Sequence, residues 1–298
     1  MCVAGGKSAA VVCVRELLRV LTNRREVISL SILHEIAGRT KERVEMQKKK
    51  QPLEQIIELT QMTSSDHFPF EDALKTDDIA FICEIKKASP SKGIIAKDFP
   101  YLQIAQEYEA AGAAAISVLT EPFYFKGDDA HLREIANEVS IPLLRKDFTV
   151  DSYMIYEAKL LGAGAVLLIC ALLDTDTLAE YITIAHSIGL SALVETHNEE
   201  EVKMALNAGA RIIGVNNRNL KTFEMDMSLS EQLKKLIPSD IIFVSESGIK
   251  TPEDVDKMRK IEADAVLIGE TIMRSDNKYN EILRLRGESN LPPSLHSE

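Results

Sequence analysis

From Ile79 onward, short apolar runs alternate with stretches whose apolar positions recur at helical spacing. The runs predict strands near 80–86, 115–119, 142–146, 165–169, 191–195, 212–216, 241–246 and 265–268. Between and after them the helical period predicts helices over Tyr101–Ala111, His131–Val139, Ser152–Leu161, Thr177–Ile188, Glu199–Asn207, Ser228–Leu236, Pro252–Lys260 and Tyr279–Leu285. Eight βα units in this length are what a closed barrel requires.

A second period lies over the first. Ala111-Gly112-Ala113, Leu161-Gly162-Ala163, Ala208-Gly209-Ala210 and the degenerate Glu262-Ala263-Asp264 precede strands two, four, six and eight. A glycine just past a helix supplies the left-handed residue that turns the chain toward the next strand. The spacing of about 50 residues is two βα units, so the chain reads as four quarters, and closure follows more naturally than an open doubly wound sheet.

Ahead of the barrel, Leu33, Ile36, Ala37, Thr40 and Val44 trace one face of a helix over 31–51 whose other face is charged. Lys48-Lys49-Lys50 ends it, suiting the negative end of a helix dipole, and Pro52 closes it. Residues 31–78 therefore read as a helical extension joined to the barrel in one domain, 31–298. Residues 1–30 are an unassigned extension in which Val11, Val14, Leu17, Leu18 and Leu21 fall at helical spacing.

Composition narrows the partners. The 298 residues hold 35 Lys+Arg against 46 Asp+Glu, a net charge of −11, which argues against a nucleic-acid or anionic-membrane surface and leaves room for a local site for a small anion. Cys2, Cys13, Cys83 and Cys170 lie far apart without C-x-x-C spacing, so a reduced, cytoplasmic protein is expected. No apolar run reaches the roughly 20 residues of a membrane span. Arg15 interrupts Ala9–Val14 with no cleavage pattern after it, so no signal peptide is assigned.

The chemistry sits at the strand exits. Glu84 and Lys86, two residues apart on a strand, share a face, and Ser-Pro-Ser-Lys-Gly after them is loop. The other odd strands finish in Lys146, Glu195 and Glu246. Alternate strands of such a barrel contribute one inward layer, so these residues form a charged layer at the top, where barrel enzymes do their chemistry. A structural salt-bridge network is the alternative, but burying charges on four strands is costly and favours function. Opposite charges should keep the carboxylates ionised, and neighbouring Lys86 and Lys146 should make each other easier to deprotonate. Ser247-Gly248 and Gly269-Glu270 leave strands seven and eight, where backbone N–H groups can cradle a phosphate. The histidines form no metal-ligand spacing, and His197 reads as a loop or helix-start residue. Cys83 and Cys170 read as core residues inside strands, and no metal or cofactor is expected. Pro90–Lys97 and Phe123–Asp128 are lid-like loops.

The ordered set Cys83-Glu84-Ile85-Lys86-Lys87-Ala88-Ser89-Pro90-Ser91, Leu144-Arg145-Lys146-Asp147-Phe148, Val194-Glu195-Thr196-His197, Gly214-Val215-Asn216-Asn217-Arg218-Asn219-Leu220, Ser245-Glu246-Ser247-Gly248-Ile249 and Leu267-Ile268-Gly269-Glu270 resembles the indole-3-glycerol phosphate synthase family of tryptophan biosynthesis. The resemblance runs from near Ile32 to about Leu285. It implies a (β/α)8 TIM barrel that, without metal or cofactor, closes the pyrrole ring of 1-(2-carboxyphenylamino)-1-deoxyribulose 5-phosphate, expels CO2 and removes water. Carried over by motif, Lys146 resembles the general acid and Glu195 the general base. Glu84 assists proton transfer, and Lys86 orients anions or serves as a second acid. Ser89, Asn216 and Arg218 resemble ring and carboxylate-site residues, and Ser247, Gly248 and Gly269 the phosphate cradle. Where some members carry Ser, this chain has Glu270, whose backbone N–H alone is expected to serve the phosphate. Residues 1–30 precede the family's usual start, as an added helix or an over-extended reading frame. Other phosphate-binding barrels, such as sugar-phosphate or phosphoribosylanthranilate isomerases, fit the Glu84, Lys86, Lys146 and Glu195 set poorly, and a ligand-binding scaffold barrel would not need it. Other enzymes of the pathway are conceivable partners.

Overall fold

The computed structural model describes residues 32–61, 67–219 and 222–288. The expected helix carrying Val11 to Leu21 lies outside them. Eight parallel strands close into a barrel: β1 (Ala80–Ile85), β2 (Ala115–Leu119), β3 (Leu143–Lys146), β4 (Ala165–Ile169), β5 (Ser191–Thr196), β6 (Ile212–Asn216), β7 (Ile242–Glu246) and β8 (Ala265–Ile268). Each pairs with its sequence neighbour, and β1 with β8 closes the ring at Ala80–Ala265 through Cys83–Ile268. Helices α4 (Tyr101–Ala110), α5 (Asp129–Glu138), α6 (Tyr153–Leu160), α7 (Thr175–Ser187), α8 (Glu199–Asn207), α9 (Ser228–Lys234) and α10 (Pro252–Lys260) fill the crossovers, and α11 (Glu270–Arg274) and α12 (Lys278–Arg286) follow β8. Cys170 begins a single 3-10 turn, Cys170–Leu172, just after β4, rather than lying inside the strand as its apolar context suggested.

The period-two alternation divides the apolar residues into two cores. Phe81, Cys83 and Ile85 of β1 face the helices, whereas Ala80 and Ile82 face the barrel interior with Leu144, Leu193, Val244 and Leu267. Two features ahead of β1 were not legible as separate helices, α2 (Leu53–Gln61) and α3 (Pro69–Leu74). Phe70 and Leu74 of α3 join the interior core against Ala80, Ala165 and Ala265, whose small side chains leave room for them, so α3 plugs the bottom. Ser191 and Arg211 bind its Glu71 at 3.2 and 2.8 Å.

The N-terminal helix α1 spans 32–50, and the five residues expected on its inner face are all buried. A second stripe, one helical turn apart at each step, grips the loop after β2, the exit of β3 and the start of α5. Glu35 bonds Tyr124, Arg39 lies over the Phe123 ring at 5.2 Å, Arg43 donates to Asp147 Oδ2 at 2.6 Å, and Gln47 donates to Asp129 at 3.5 Å. That loop is also fixed from within: the Glu121 carboxylate accepts from the backbone N–H groups of Phe123, Tyr124 and Phe125 at 2.7–2.9 Å. The Ala88 N–H donates to Phe125 O at 3.2 Å, tying it to the β1 loop, which itself folds into a hairpin of Ala88–Ser89 with Gly93–Ile94.

The glycine turns form as expected at Gly112, Gly162 and Gly209, with φ of 77°, 90° and 82°. Their fourth counterpart is displaced by one residue. Glu262, not Ala263, takes the left-handed conformation (φ 55°), and the Ala263 N–H reaches back to Met258 O at 3.0 Å as Ala113 does to Tyr108 O. Gly189 makes the same turn ahead of β5, so the device is not confined to alternate strands.

Candidate active site

The odd strands deliver one inward layer above Ile82, Leu144, Leu193 and Val244: Glu84, Lys146, Glu195 and Glu246. Lys146 Nζ stands between two carboxylates, donating to Glu195 Oε2 at 2.9 Å and to Glu246 Oε2 at 2.7 Å. Lys86, one residue beyond the end of β1, donates to Glu84 Oε1 beside them. Glu84, Glu195 and Glu246 are buried. This is the charged layer expected from the strand exits, now with its pairing resolved.

The protonation balance differs from the sequence-based expectation for Lys146. Burial by itself lowers the pKa of its amine, but Glu195, Glu246 and Glu84 outweigh that and hold it well above the ordinary lysine value. The nearest charges are carboxylates, so a neighbouring lysine does not decide the matter. The carboxylates also part company. Burial would raise Glu195, yet Lys146 and His197 hold it far below its ordinary value. Burial pushes Glu246 up to about 7, with the negative charges of Glu195 and Glu84 adding to that and Lys146 opposing it. Glu246 Oε1 is buried with no hydrogen-bond partner. The layer thus holds a protonated amine, an ionised carboxylate and a second carboxyl pushed up toward neutrality, separated by environment alone.

Two glycines make the crowding possible. A Cβ on Gly214 in β6 would overlap Glu246 Oε1, and one on Gly269 would overlap Glu84 Oε1 and sit 3.1 Å from Lys86 Nζ. Gly269 was expected for close backbone approach to phosphate; the structure adds that it makes room for the Glu84–Lys86 pair.

The layer forms the floor of a cavity of about 690 Å³, and all eleven residues singled out from the sequence line it: Glu84, Lys86, Ser89, Lys146, Glu195, Asn216, Arg218, Ser247, Gly248, Gly269 and Glu270. One wall is apolar, with Phe125 and Phe148 (ring centroids 6.0 Å apart) and Ile32, Leu33 and Ile36 of α1. Opposite, Ser247 and Gly248 both have positive φ (68° and 99°) at the exit of β7, and Gly269 precedes α11. The Glu270 carboxylate accepts from Arg274 Nε at 3.0 Å and lies 3.8 and 3.9 Å from Arg218 and Lys92, so it is occupied by cations at the rim. Glu246 had been placed in the charged layer without a role of its own, and Phe125, Phe148 and the α1 residues had not been assigned to the site. Glu246 and Phe148 stood inside quoted motifs; the others carry no local signal, because the apolar wall is assembled from distant segments.

Among the described residues no group of three or more His, Cys, Asp or Glu side chains is spaced to hold a metal, and no helix is long and apolar enough to cross a membrane. Comparison with solved structures shows the barrel fold: a mutant tryptophan synthase α-subunit from Pyrococcus furiosus superposes with a TM-score of 0.55 at 16% identity, covering 70% of this chain and 98% of that one. The sequence comparisons are closer. The family model of indole-3-glycerol phosphate synthase matches residues 33–285. A protein of that name from Ruminiclostridium cellulolyticum is 59% identical over 259 residues, 87% of this chain and 100% of the relative. Another from Endomicrobium trichonymphae is 52% identical over 256 residues, 86% of this chain and 99% of the relative. Matched from α1 into α12 by the family model, and along nearly the whole length of these relatives, the chain belongs to the indole-3-glycerol phosphate synthase family.

Proposed function

We propose that the charged layer converts 1-(2-carboxyphenylamino)-1-deoxyribulose 5-phosphate to indole-3-glycerol phosphate, CO2 and water by lysine and glutamate proton transfers. Family membership makes the chain a carboxy-lyase of tryptophan biosynthesis. The observation that carries the residue roles is the Glu195–Lys146–Glu246 bridge on the cavity floor.

Lys146, kept protonated by its three carboxylate neighbours, donates to the substrate's ketone oxygen as the ring carbon attacks the carbonyl carbon. Loss of CO2 returns the bonding electrons to the ring. Glu195, kept ionised, then takes a proton from the new ring system as the hydroxyl leaves as water, its proton supplied by the ammonium of Lys86. Glu84 holds Lys86 in place, and Glu246 Oε1 presents a group able to gain or lose a proton near neutrality. Phe125 and Phe148 offer the aromatic ring an apolar wall, Ser89, Asn216 and Arg218 take its carboxylate, and the backbone at Ser247, Gly248, Gly269 and Glu270 receives the phosphate. The Glu270 side chain, committed to Arg274, leaves its N–H for that purpose. Buried, unpaired Cys83 and Cys170 are consistent with a cytoplasmic setting.

The test is indole fluorescence of the product with purified wild type, Lys146→Ala and Glu195→Gln. Each variant should lose at least about a hundredfold in kcat, the scale of a positioned acid or base. Wild type that binds the substrate without turnover, or variants within about tenfold of it, would refute the assignment.

A further inference from the structure

Glu195 meets a second cation on the side away from Lys146. His197, in the loop between β5 and α8, places Nε2 3.3 Å from Glu195 Oε1, close enough for charge pairing but without hydrogen-bond alignment. Its Nδ1 is 3.1 Å from Glu201 Oε2. The imidazole is 10% exposed. Glu201 is itself pinned at the start of α8: Oε2 accepts from the His197 backbone N–H at 2.8 Å and Oε1 from Asn198 Nδ2 at 2.8 Å. The Glu201 N–H returns a bond to Asn198 Oδ1 at 2.9 Å. With a carboxylate oxygen within 3.3 Å of each ring nitrogen, the imidazole is attracted to both most strongly when both nitrogens carry protons. Charges then alternate without interruption from Glu201 through His197, Glu195 and Lys146 to Glu246.

We propose that His197 is a positioning residue for the catalytic base: held as an imidazolium by Glu201, it fixes Glu195 Oε1 while Lys146 fixes Oε2, and so keeps the base ionised and aimed. The inference rests on the reading of Glu195 as the base. The charged groups beside His197 are Glu195 from β5 and Glu201 from α8, with Lys146 beyond Glu195; the Cys170 thiol after β4 meets the backbone of Glu201. The thiol donates to Glu201 O at 3.7 Å, and burial pushes it up to about 12, so it is neutral here. Burial would lower the imidazole, but the two carboxylates win and raise it to about 9. The loop–helix junction explains why Glu201 is where it is; it does not require the imidazole ring to turn toward Glu195.

The experiment pairs a ring titration with kinetics on the full chain. The His197 NMR signals, assigned by their loss in His197→Asn, should titrate near 9 in wild type and fall by about one unit or more in Glu201→Gln. In His197→Asn and His197→Gln, kcat should fall about tenfold with KM little changed. The acid limb of the kcat profile should move upward as Glu195 loses a cationic neighbour. A ring that titrates at or below the ordinary value of 6.5, or variants whose limbs coincide with those of wild type, would overturn the proposal. Should either His197 variant not fold, the titration in Glu201→Gln decides alone. Glu195→Gln separates the two ideas. If it stays active, the reading of Glu195 as base fails and the proposal with it; if it is inactive while the His197 profiles are unchanged, only the positioning role fails.

Discussion

Replacing Gly214 by Ala should lower activity while leaving the barrel folded. The added methyl overlaps Glu246 Oε1 and comes within 3.2 Å of Glu246 Cδ and Leu193 Cδ1. The colliding atom is the end of a flexible side chain, so the carboxylate swings aside more cheaply than β6 can move. What it loses is its bond from Lys146 at 2.7 Å, a charge-assisted contact worth about 1.5–3 kcal/mol. That range corresponds to a roughly 10- to 150-fold fall in kcat/KM. For stability, burial of one more methyl contributes about 0.8 kcal/mol, overpacking costs about 1–3 kcal/mol and the lost Lys146 contact about 1.5–3 kcal/mol, so the net loss is about 2–5 kcal/mol. Product fluorescence under steady-state conditions and urea denaturation read the two quantities separately, with Glu246→Gln as the companion variant. A Gly214→Ala enzyme within about threefold of wild type would show that the Glu246–Lys146 contact does not contribute to the transition state. A loss of stability well beyond about 5 kcal/mol would show that the strand, not the side chain, yields.

Glu246 should also leave a signature in pH dependence. Its folded value of about 7 lies above the ordinary 4.5, so its contribution to stability is full below about 4.5 and disappears as pH rises through 7. Glu246→Gln should flatten that decline in denaturation midpoints and delete a step near 7 from the kcat/KM profile. Arg145 is buried among Asp129, Glu157 and the Met154 carbonyl at 2.7–3.0 Å, so Arg145→Met, leaving two carboxylates uncompensated, should cost about 3–5 kcal/mol by urea denaturation. Arg43→Ala unties α1 from Asp147, the neighbour of Lys146, and should cost about 1–3 kcal/mol together with a measurable fall in kcat; unchanged kcat would mean that α1 only stabilises. Glu262→Gly, at the one member of the four-turn series without glycine, should raise the unfolding free energy read by urea denaturation by about 0.5–1 kcal/mol.

Eight strands, their limits to within a residue, and the carboxyl-end location of Glu84, Lys86, Lys146, Glu195 and Glu246 were legible in the chain alone. Each depends on a local property, the period-two alternation and the turn residues that end it, which acts between neighbours in sequence. The inner face of α1 was readable for the same reason, with period 3.6 in place of two. The short helices α2 and α3 were not, because they lie outside the repeating βα pattern that made helices of similar length legible, and α3 is held by the barrel bottom it plugs. Membership of the charged layer was likewise local, but its pairing was not. Lys146 meets a carboxylate 49 residues ahead and another 100 residues ahead, and only barrel closure and stagger bring those strand ends to one point. The direction of the Lys146 shift followed the same division: sequence names the charges, but the sign depends on which stand nearest and how much water is excluded, quantities that exist only once the chain is folded.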